Sequence, residues 1–202
     1  MKLIIPFWYV EYKESHYYIK MNYEEVYSST FSKEEYSSGS DHFRFDYVTQ
    51  KINTPSFSLI DVGSGRGQVL FKLCKKFPVA KLTAVDLENF SKFPNFIKCD
   101  LSKIDSRNNL LNEKYDYLSS TDLLEHLDKS FIDDVVCLFS KLADTCLISV
   151  ANHSDVINGI ELHTIQENDI WWDAIFSRYF TILDKQISSC GFIYMYTLKP
   201  IV

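Results

Sequence analysis

The chain of 202 residues has little glycine or proline, with 6 and 5 residues. That scarcity excludes a long low-complexity linker. It has no excess of positive charge: 21 Lys and Arg stand against 27 Asp and Glu, a net charge of −6. A nucleic-acid partner needs a basic footprint to replace counterions on phosphates, so none is expected. The lysines Lys72, Lys75, Lys76 and Lys81 form a local basic cluster, read here as the solvated face of a helix. The five cysteines are odd in number and include no C-x-x-C pair. This argues against a disulfide framework and a structural zinc site, and fits reduced thiols. No apolar run approaches the roughly 20 residues of a membrane-spanning helix. The start, Met1-Lys2-Leu3-Ile4-Ile5-Pro6, is apolar too briefly for a signal peptide. A cytoplasmic protein is therefore expected.

Aromatic residues are abundant, at 15% of the chain, including 13 Tyr and 15 Phe. They serve a core, or a pocket for a cation or a sugar ring. Hydrophobic residues at 46% and charged residues at 24% suit one globular domain with a full-sized core.

Along the chain, residues 1–55 read as an extension of the same domain. Leu3–Tyr12 and Tyr17–Met21, parted by polar residues, predict a β-hairpin, and Phe43–Val48 the start of a helix. This extension is assigned to shaping the acceptor site or to a homodimer contact, two readings left open. From residue 56 short apolar runs alternate with helical spacing. Phe57–Val62, Ala80–Asp86, Asn95–Asp100, Tyr115–Ser120 and Thr145–Val150 predict strands, and Phe180–Ile187 and Phe192–Leu198 two closing ones. Val69–Lys76, Ser130–Leu142 and Asp169–Phe180 predict helices. The alternation implies an α/β fold with a mostly parallel sheet over residues 56–202. Ligands of such sheets lie beyond the carboxyl ends of the strands.

After the first of these strands comes Asp61-Val62-Gly63-Ser64-Gly65-Arg66-Gly67. Glycines allow a sharp turn and close approach of backbone to a ligand. The dinucleotide fingerprint G-x-G-x-x-G needs a small residue where this chain has Gln68. An acidic Asp61 suits a ligand with an ammonium and a sulfonium better than a pyrophosphate. The stretch Leu59–Gly67 resembles the first motif of class I S-adenosylmethionine (SAM)-dependent methyltransferases. The resemblance implies a Rossmann-like doubly wound sheet of seven strands, six parallel and one antiparallel near the C-terminus, and SAM as cofactor. It implies cofactor contacts from Asp61, Gly63, Ser64, Gly65 and Gly67. It also implies Asp86 with Leu87 at the ribose, Asp100 with Leu101 at the adenine, and Ser120 with Thr121 beside the methionine part. Asp86 and Asp100 also suit a helix or turn cap. No obligatory metal is expected. An NAD-dependent oxidoreductase and a non-catalytic SAM-binding protein are the competing classes.

Tyr115–Leu127 is similar to the segment that ends in Leu-Glu-His in many small-molecule methyltransferases. It lacks the Pro-Pro run of enzymes that methylate base amines. On a helix Asp122 and His126 share a face. The loop after Val150 adds His153, Asp155, Glu161 and His163. Histidine is the natural base near neutral pH. His153 is the first candidate, with His163 and His126 behind it and Asp122 beside them. Asp155, Glu161, Trp171 and Trp172 are candidate acceptor contacts, the tryptophans as a ring platform or as core packing. The segment His153–Trp172 resembles small methyltransferases that act in glycan building. That likeness implies O-methylation of a sugar hydroxyl, with a phenol or quinone as the competing acceptor.

Overall fold

The computed structural model describes residues 8–13, 16–21, 41–157 and 159–201. The chain divides into two compact units, Met1–Ser38 and Gly39–Val202. In the first, β1 (Trp8–Lys13) pairs antiparallel with β2 (His16–Met21), from Trp8 opposite Met21 to Lys13 opposite His16. The expected hairpin is present there; its expected beginning at Leu3 and the tip Glu14-Ser15 lie outside the described residues.

The second unit begins with α1 (Asp41–Lys51) and is built on a sheet of seven strands. These are β3 (Ser58–Val62), β4 (Lys81–Asp86), β5 (Phe96–Lys98), β6 (Tyr115–Thr121), β7 (Ala143–Ala151), β10 (Phe180–Ile187) and β11 (Ile193–Pro200). A small hairpin, β8 (Val156–Ile157) with β9 (Ile160–Glu161), interrupts them after β7. The helices are α2 (Gln68–Lys76), α3 (Ile104–Asn108), α4 (Ile132–Leu142) and α5 (Asp169–Phe176). Spatial order is β10-β11-β7-β6-β3-β4-β5. The pairs β3–β4, β3–β6, β4–β5 and β6–β7 are parallel, and β11 is antiparallel to both its neighbours. Six strands thus run one way and β11 the other, as expected.

The sequence explains the sheet. Central parallel strands are covered on both faces, so they read as continuous apolar runs. Leu59, Ile60 and Val62 in β3, and Leu147, Ile148 and Val150 in β7, are fully buried or nearly so. On α2, Val69, Leu70 and Leu73 face the core, whereas Lys72 and Lys76 reach across to α1. Lys72 pairs with Asp46 at 3.0 Å, and Lys76 Nζ donates to the Thr49 carbonyl at 2.6 Å.

Two local expectations shift. The helix expected to reach Phe180 stops at Phe176, and Phe180 already starts β10, where its ring is buried. Asp122 and His126, which would share a face on a helix, do not lie on one: a turn of 3-10 helix covers Leu124–His126. Asp122 stands before it in the left-handed region, at φ 60°, a conformation that ends regular helix and that Asp tolerates better than most residues.

Candidate functional site

Strand order reverses between β3 and β6, whose connections leave toward opposite ends of the sheet. Such a switch point opens a crevice beyond the strand ends. The glycine loop after β3 and the segment after β6 both lie there.

The loop is held by β4. The N–H groups of Gly63 and Ser64 donate to the Val85 carbonyl at 2.9 and 3.0 Å. Gly63 and Gly67 have φ of 77° and 76°, which only glycine adopts readily. Space is equally restricted. A Cβ on Gly63 would sit 2.9 Å from Leu123 Cδ2, and one on Gly67 would sit 2.8 Å from Ser91 Cβ. Gly63 therefore also brings the loop against the segment after β6.

Asp86 ends β4, and its carboxylate clamps the loop. Oδ2 accepts the Gly65 N–H and Oδ1 the Leu87 N–H, both at 2.7 Å. Each oxygen keeps a second lone pair for a ligand hydroxyl. Leu87 is half-buried beside it. Asp61 is buried in β3, and its Oδ1 accepts the Ser119 hydroxyl at 2.6 Å. Burial raises the Asp61 pKa to about 7 against the lowering bond from Ser119, and the nearby Asp86 adds to the rise. Burial likewise raises Asp86 to about 6, although the Gly65 and Leu87 N–H groups pull it down.

A pH dependence follows. A carboxyl whose folded pKa is raised stabilises the fold fully below its unfolded pKa, and that contribution is lost as pH rises through the folded value. For Asp61 the window runs from 3.8 to about 7. Roughly three pKa units correspond to at most about 4 kcal/mol. Asp61→Asn cannot ionise, so the ligand-free variant is expected to be more stable than wild type at pH 8, by about 2–4 kcal/mol. The difference should shrink toward pH 5. Urea unfolding midpoints of both proteins across pH 5–8 check this, and equal slopes would contradict it.

Two further residues at expected cofactor positions, Ser64 and Ser120, have buried hydroxyls with no hydrogen-bond partner among the described residues. A cradle closed to any Cβ, two acidic groups and two unsatisfied hydroxyls fit a polar, cationic cofactor. Thr121, at the end of β6, is partly exposed. Asp100 caps its own turn. Its Oδ1 accepts from the Ser102 N–H and hydroxyl, and Lys103 pairs with its carboxylate at 2.7 Å. Burial would raise its pKa, but Lys103 and Ser102 together hold it below the usual range. Leu101 is buried beside it.

Three histidines meet in the segments that follow β6, β7 and β9. His126 comes from the turn after β6, His153 from the loop after β7, and His163 from beyond β9. Ring centroids of His126 and His163 are 4.5 Å apart, and those of His153 and His163 are 4.8 Å apart. Each Nδ1 faces a backbone carbonyl: His126 that of Leu162 at 3.2 Å, His153 that of Ser154 at 3.1 Å, His163 that of His153 at 2.6 Å. A carbonyl only accepts, so each neutral ring carries its proton on Nδ1 and its lone pair on Nε2. His153 is exposed, and the other two are buried. Burial pushes the His126 pKa down to about 4 despite the neighbouring Asp122, which makes it a weak base near neutral pH.

Asp122 forms an ion pair with Arg44 of α1 at 2.5 Å, and Arg44 is buried. Burial would raise the Asp122 pKa, but the Arg44 charge, helped by His126, holds it below the usual range. Glu125 is fully buried, and its Oε1 accepts the Ala151 N–H at 2.6 Å. Burial and the neighbouring Asp122 push its pKa well up.

The remaining expected acceptor contacts are divided by the structure. Glu161 Oε2 accepts the Ser154 hydroxyl, and Oε1 accepts the N–H groups of Asp155 and His163, each at 2.9 Å. These bonds outweigh the effect of burial and lower its pKa to about 2. Glu161 thus ties His153–Asp155 to His163. Asp155 is partly exposed beside it. Trp172 is fully buried and stacks on Phe176 at 5.7 Å, so it packs the core and has no face to offer a ligand. Trp171 is partly exposed, with Lys129 Nζ 4.9 Å from its ring centroid. Sequence reading missed Arg44 and Glu125. The available signal was weak: Arg44 is flanked by Phe43 and Phe45, and Glu125 follows Leu123-Leu124.

No protein-family model matches the chain, and no curated protein matches it in sequence. Solved structures do. One is a 1,6-didemethyltoxoflavin-N1-methyltransferase from Burkholderia thailandensis, with bound 1,6-didemethyltoxoflavin and S-adenosylhomocysteine. It has TM-score 0.71 and 15% identity over 89% of this chain and 87% of that one. Another is an N-methyltransferase from Bradyrhizobium japonicum in complex with S-adenosylhomocysteine, at TM-score 0.62 and 10% identity over 89% and 98% of the two chains. A third is a magnesium protoporphyrin IX methyltransferase from Synechocystis with bound S-adenosylhomocysteine, at TM-score 0.61 and 15% identity over 88% and 94%. Among the described residues no helix is long and apolar enough to cross a membrane. By strand order, strand direction and these likenesses, the chain has the Rossmann-like fold of the class I methyltransferases.

Proposed function

We propose that the chain is a SAM-dependent methyltransferase that methylates a hydroxyl oxygen of a small polyhydroxylated acceptor such as a sugar. The observation that carries the reading is the glycine loop clamped by Asp86, with Asp61 buried behind it at the switch point. When bound there, SAM supplies a methyl group on a sulfonium sulfur, a good leaving group. The Asp86 carboxylate would accept the ribose hydroxyls, and Asp61 supplies negative charge near the cationic part of the cofactor. Asp100 and Leu101 would contact the adenine in this reading.

The acceptor side is the histidine cluster. His153 would be the base: its Nε2 would take the hydroxyl proton, while bound SAM would supply the methyl group to the oxygen and its sulfur would keep the C–S electron pair. Products are a methyl ether, S-adenosylhomocysteine and a proton. Alignment of the oxygen with the C–S bond supplies most of the acceleration. Ser154 and Asp155 stand beside His153 in the chain, and Trp171 is partly exposed. Several polar groups around one base suit an acceptor with several hydroxyls. A flat phenol would use fewer of them.

Labelled SAM with panels of sugars, nucleotide sugars and phenols tests this. Labelled methyl ether from a sugar is the expected result. Turnover of a phenol with no sugar product would overturn the acceptor class, and no transfer to any acceptor would favour a non-catalytic SAM-binding protein.

A further inference from the structure

The segment after β6 and the loop after β9 bring together a donor set that the methyl-transfer reading does not use in full. Asp122, His126 and His163 each direct one ligand atom into a common region, all within 4.8 Å of one another. We propose that these three side chains form a site for a first-row divalent cation such as Mn²⁺ or Zn²⁺.

Three features support it. Both imidazoles turn Nδ1 to backbone carbonyls, of Leu162 and His153, so Nε2 is the atom through which each would ligate a cation. A carbonyl behind the ligating ring is the usual outer partner of metal-bound histidine. Next, Asp122 presents two oxygens, of which Oδ1 is engaged by Arg44. Glu125 adds a second carboxyl against Asp122.

The donor set selects the ion. Two nitrogens and one carboxylate suit Mn²⁺, Fe²⁺ or Zn²⁺, whereas Mg²⁺ and Ca²⁺ favour oxygen ligands. Atoms bound to one ion at about 2.1 Å lie at most about 4.2 Å apart, so the three side chains must close in by roughly half an ångström. Arg44 beside Asp122 opposes the cation electrostatically. Three protein ligands leave a position open, the pattern of metal sites that bind a substrate oxygen. Use of that position by the acceptor hydroxyl rests on the proposed methyltransferase reading; the site itself does not. It also departs from the expectation, drawn from the sequence, that no metal is needed. No local ligand motif announces the site, because His163 lies far along the chain from Asp122 and His126.

The test uses the full-length chain without an affinity tag. Mn²⁺ is titrated in and followed by loss of the aquo-ion signal in electron paramagnetic resonance, with Zn²⁺ as competitor. The expected result is one Mn²⁺ per chain, displaced by Zn²⁺ and not by an equal concentration of Mg²⁺. Asp122→Asn and His163→Gln, each made separately and shown folded by circular dichroism, should weaken binding at least about tenfold. His126→Gln replaces either variant that does not fold. Absence of stoichiometric binding to the folded wild type would overturn the proposal, as would two folded variants that bind like wild type. Calorimetry with SAM on the same sample separates the two readings. SAM binding without metal binding defeats the metal site alone, and metal binding without SAM binding defeats the methyltransferase reading alone.

Discussion

Replacing His153 by alanine is expected to lower kcat by about 10²–10⁴-fold, the range for loss of a positioned general base. The geometry accounts for choosing His153. Among the three clustered histidines it is the exposed one. Its Nδ1 is tied to the Ser154 carbonyl, so the Nε2 lone pair is available to a bound hydroxyl. His126 is buried and held near a pKa of about 4, too weak a base for the task. Because the exposed ring contributes little to the core, folding stability should hardly change. The KM for SAM should stay near wild type, since the cofactor loop is untouched. A merely structural role would act differently, lowering stability and leaving the pH profile of residual activity intact. For a base, the residual rate of His153→Ala should rise steadily with pH while that of wild type levels off. Steady-state kinetics over pH 6–9 checks this, and a variant with unchanged kcat and profile would remove His153 from the mechanism.

Gly63→Ala is expected to cost about 2–5 kcal/mol of stability and to abolish measurable SAM binding. Part of the cost is conformational. At φ 77° an alanine sits in the left-handed region, at about 1–2 kcal/mol. The rest is steric. The new methyl would lie 2.9 Å from Leu123 Cδ2 and 3.0 Å from Leu123 Cβ. The second contact is close to the backbone, so rotation of the leucine tip cannot relieve it. Overpacking of this kind typically costs about 1–3 kcal/mol. Either the glycine loop or the segment carrying Asp122 and His126 must move, which disturbs cofactor and acceptor sides together. Chemical denaturation and SAM calorimetry on the same preparation check both parts. A variant of wild-type stability that still binds SAM would show that the loop is not held as tightly as its geometry indicates.

Much of this was legible in the sequence because the responsible physics is local. Leu59-Ile60 and Leu147-Ile148 announce buried parallel strands by unbroken apolarity. The glycines of the loop mark backbone that other residues cannot adopt, and Asp86 follows at the end of the next strand. What the sequence hid depends on contacts between distant segments. Asp86 and Glu161 read as ligand contacts, but their oxygens also hold backbone N–H groups of neighbouring loops. Trp172 is fully buried although its neighbour Trp171 is not, because adjacent residues on α5 point about 100° apart and only one can face the core. Arg44 lies 78 residues before its partner Asp122, too far apart for any spacing rule to connect them. The meeting of His126, His153 and His163 needs three loops to converge at the strand ends, which only the fold supplies.

The central claim is that the loop Asp61–Gly67 with Asp86 binds SAM. Isothermal titration of the chain with SAM, S-adenosylhomocysteine and NAD tests it most directly. Both sulfur compounds should bind one per chain, with affinity rising as Asp61 and Asp86 ionise between pH 5.5 and pH 7.5, through their pKa values of about 7 and about 6. Asp86→Ala should weaken SAM by about 1.5–3 kcal/mol, the value of hydrogen bonds to a charged group. Tight binding of NAD with no heat from SAM or its demethylated product would contradict the account.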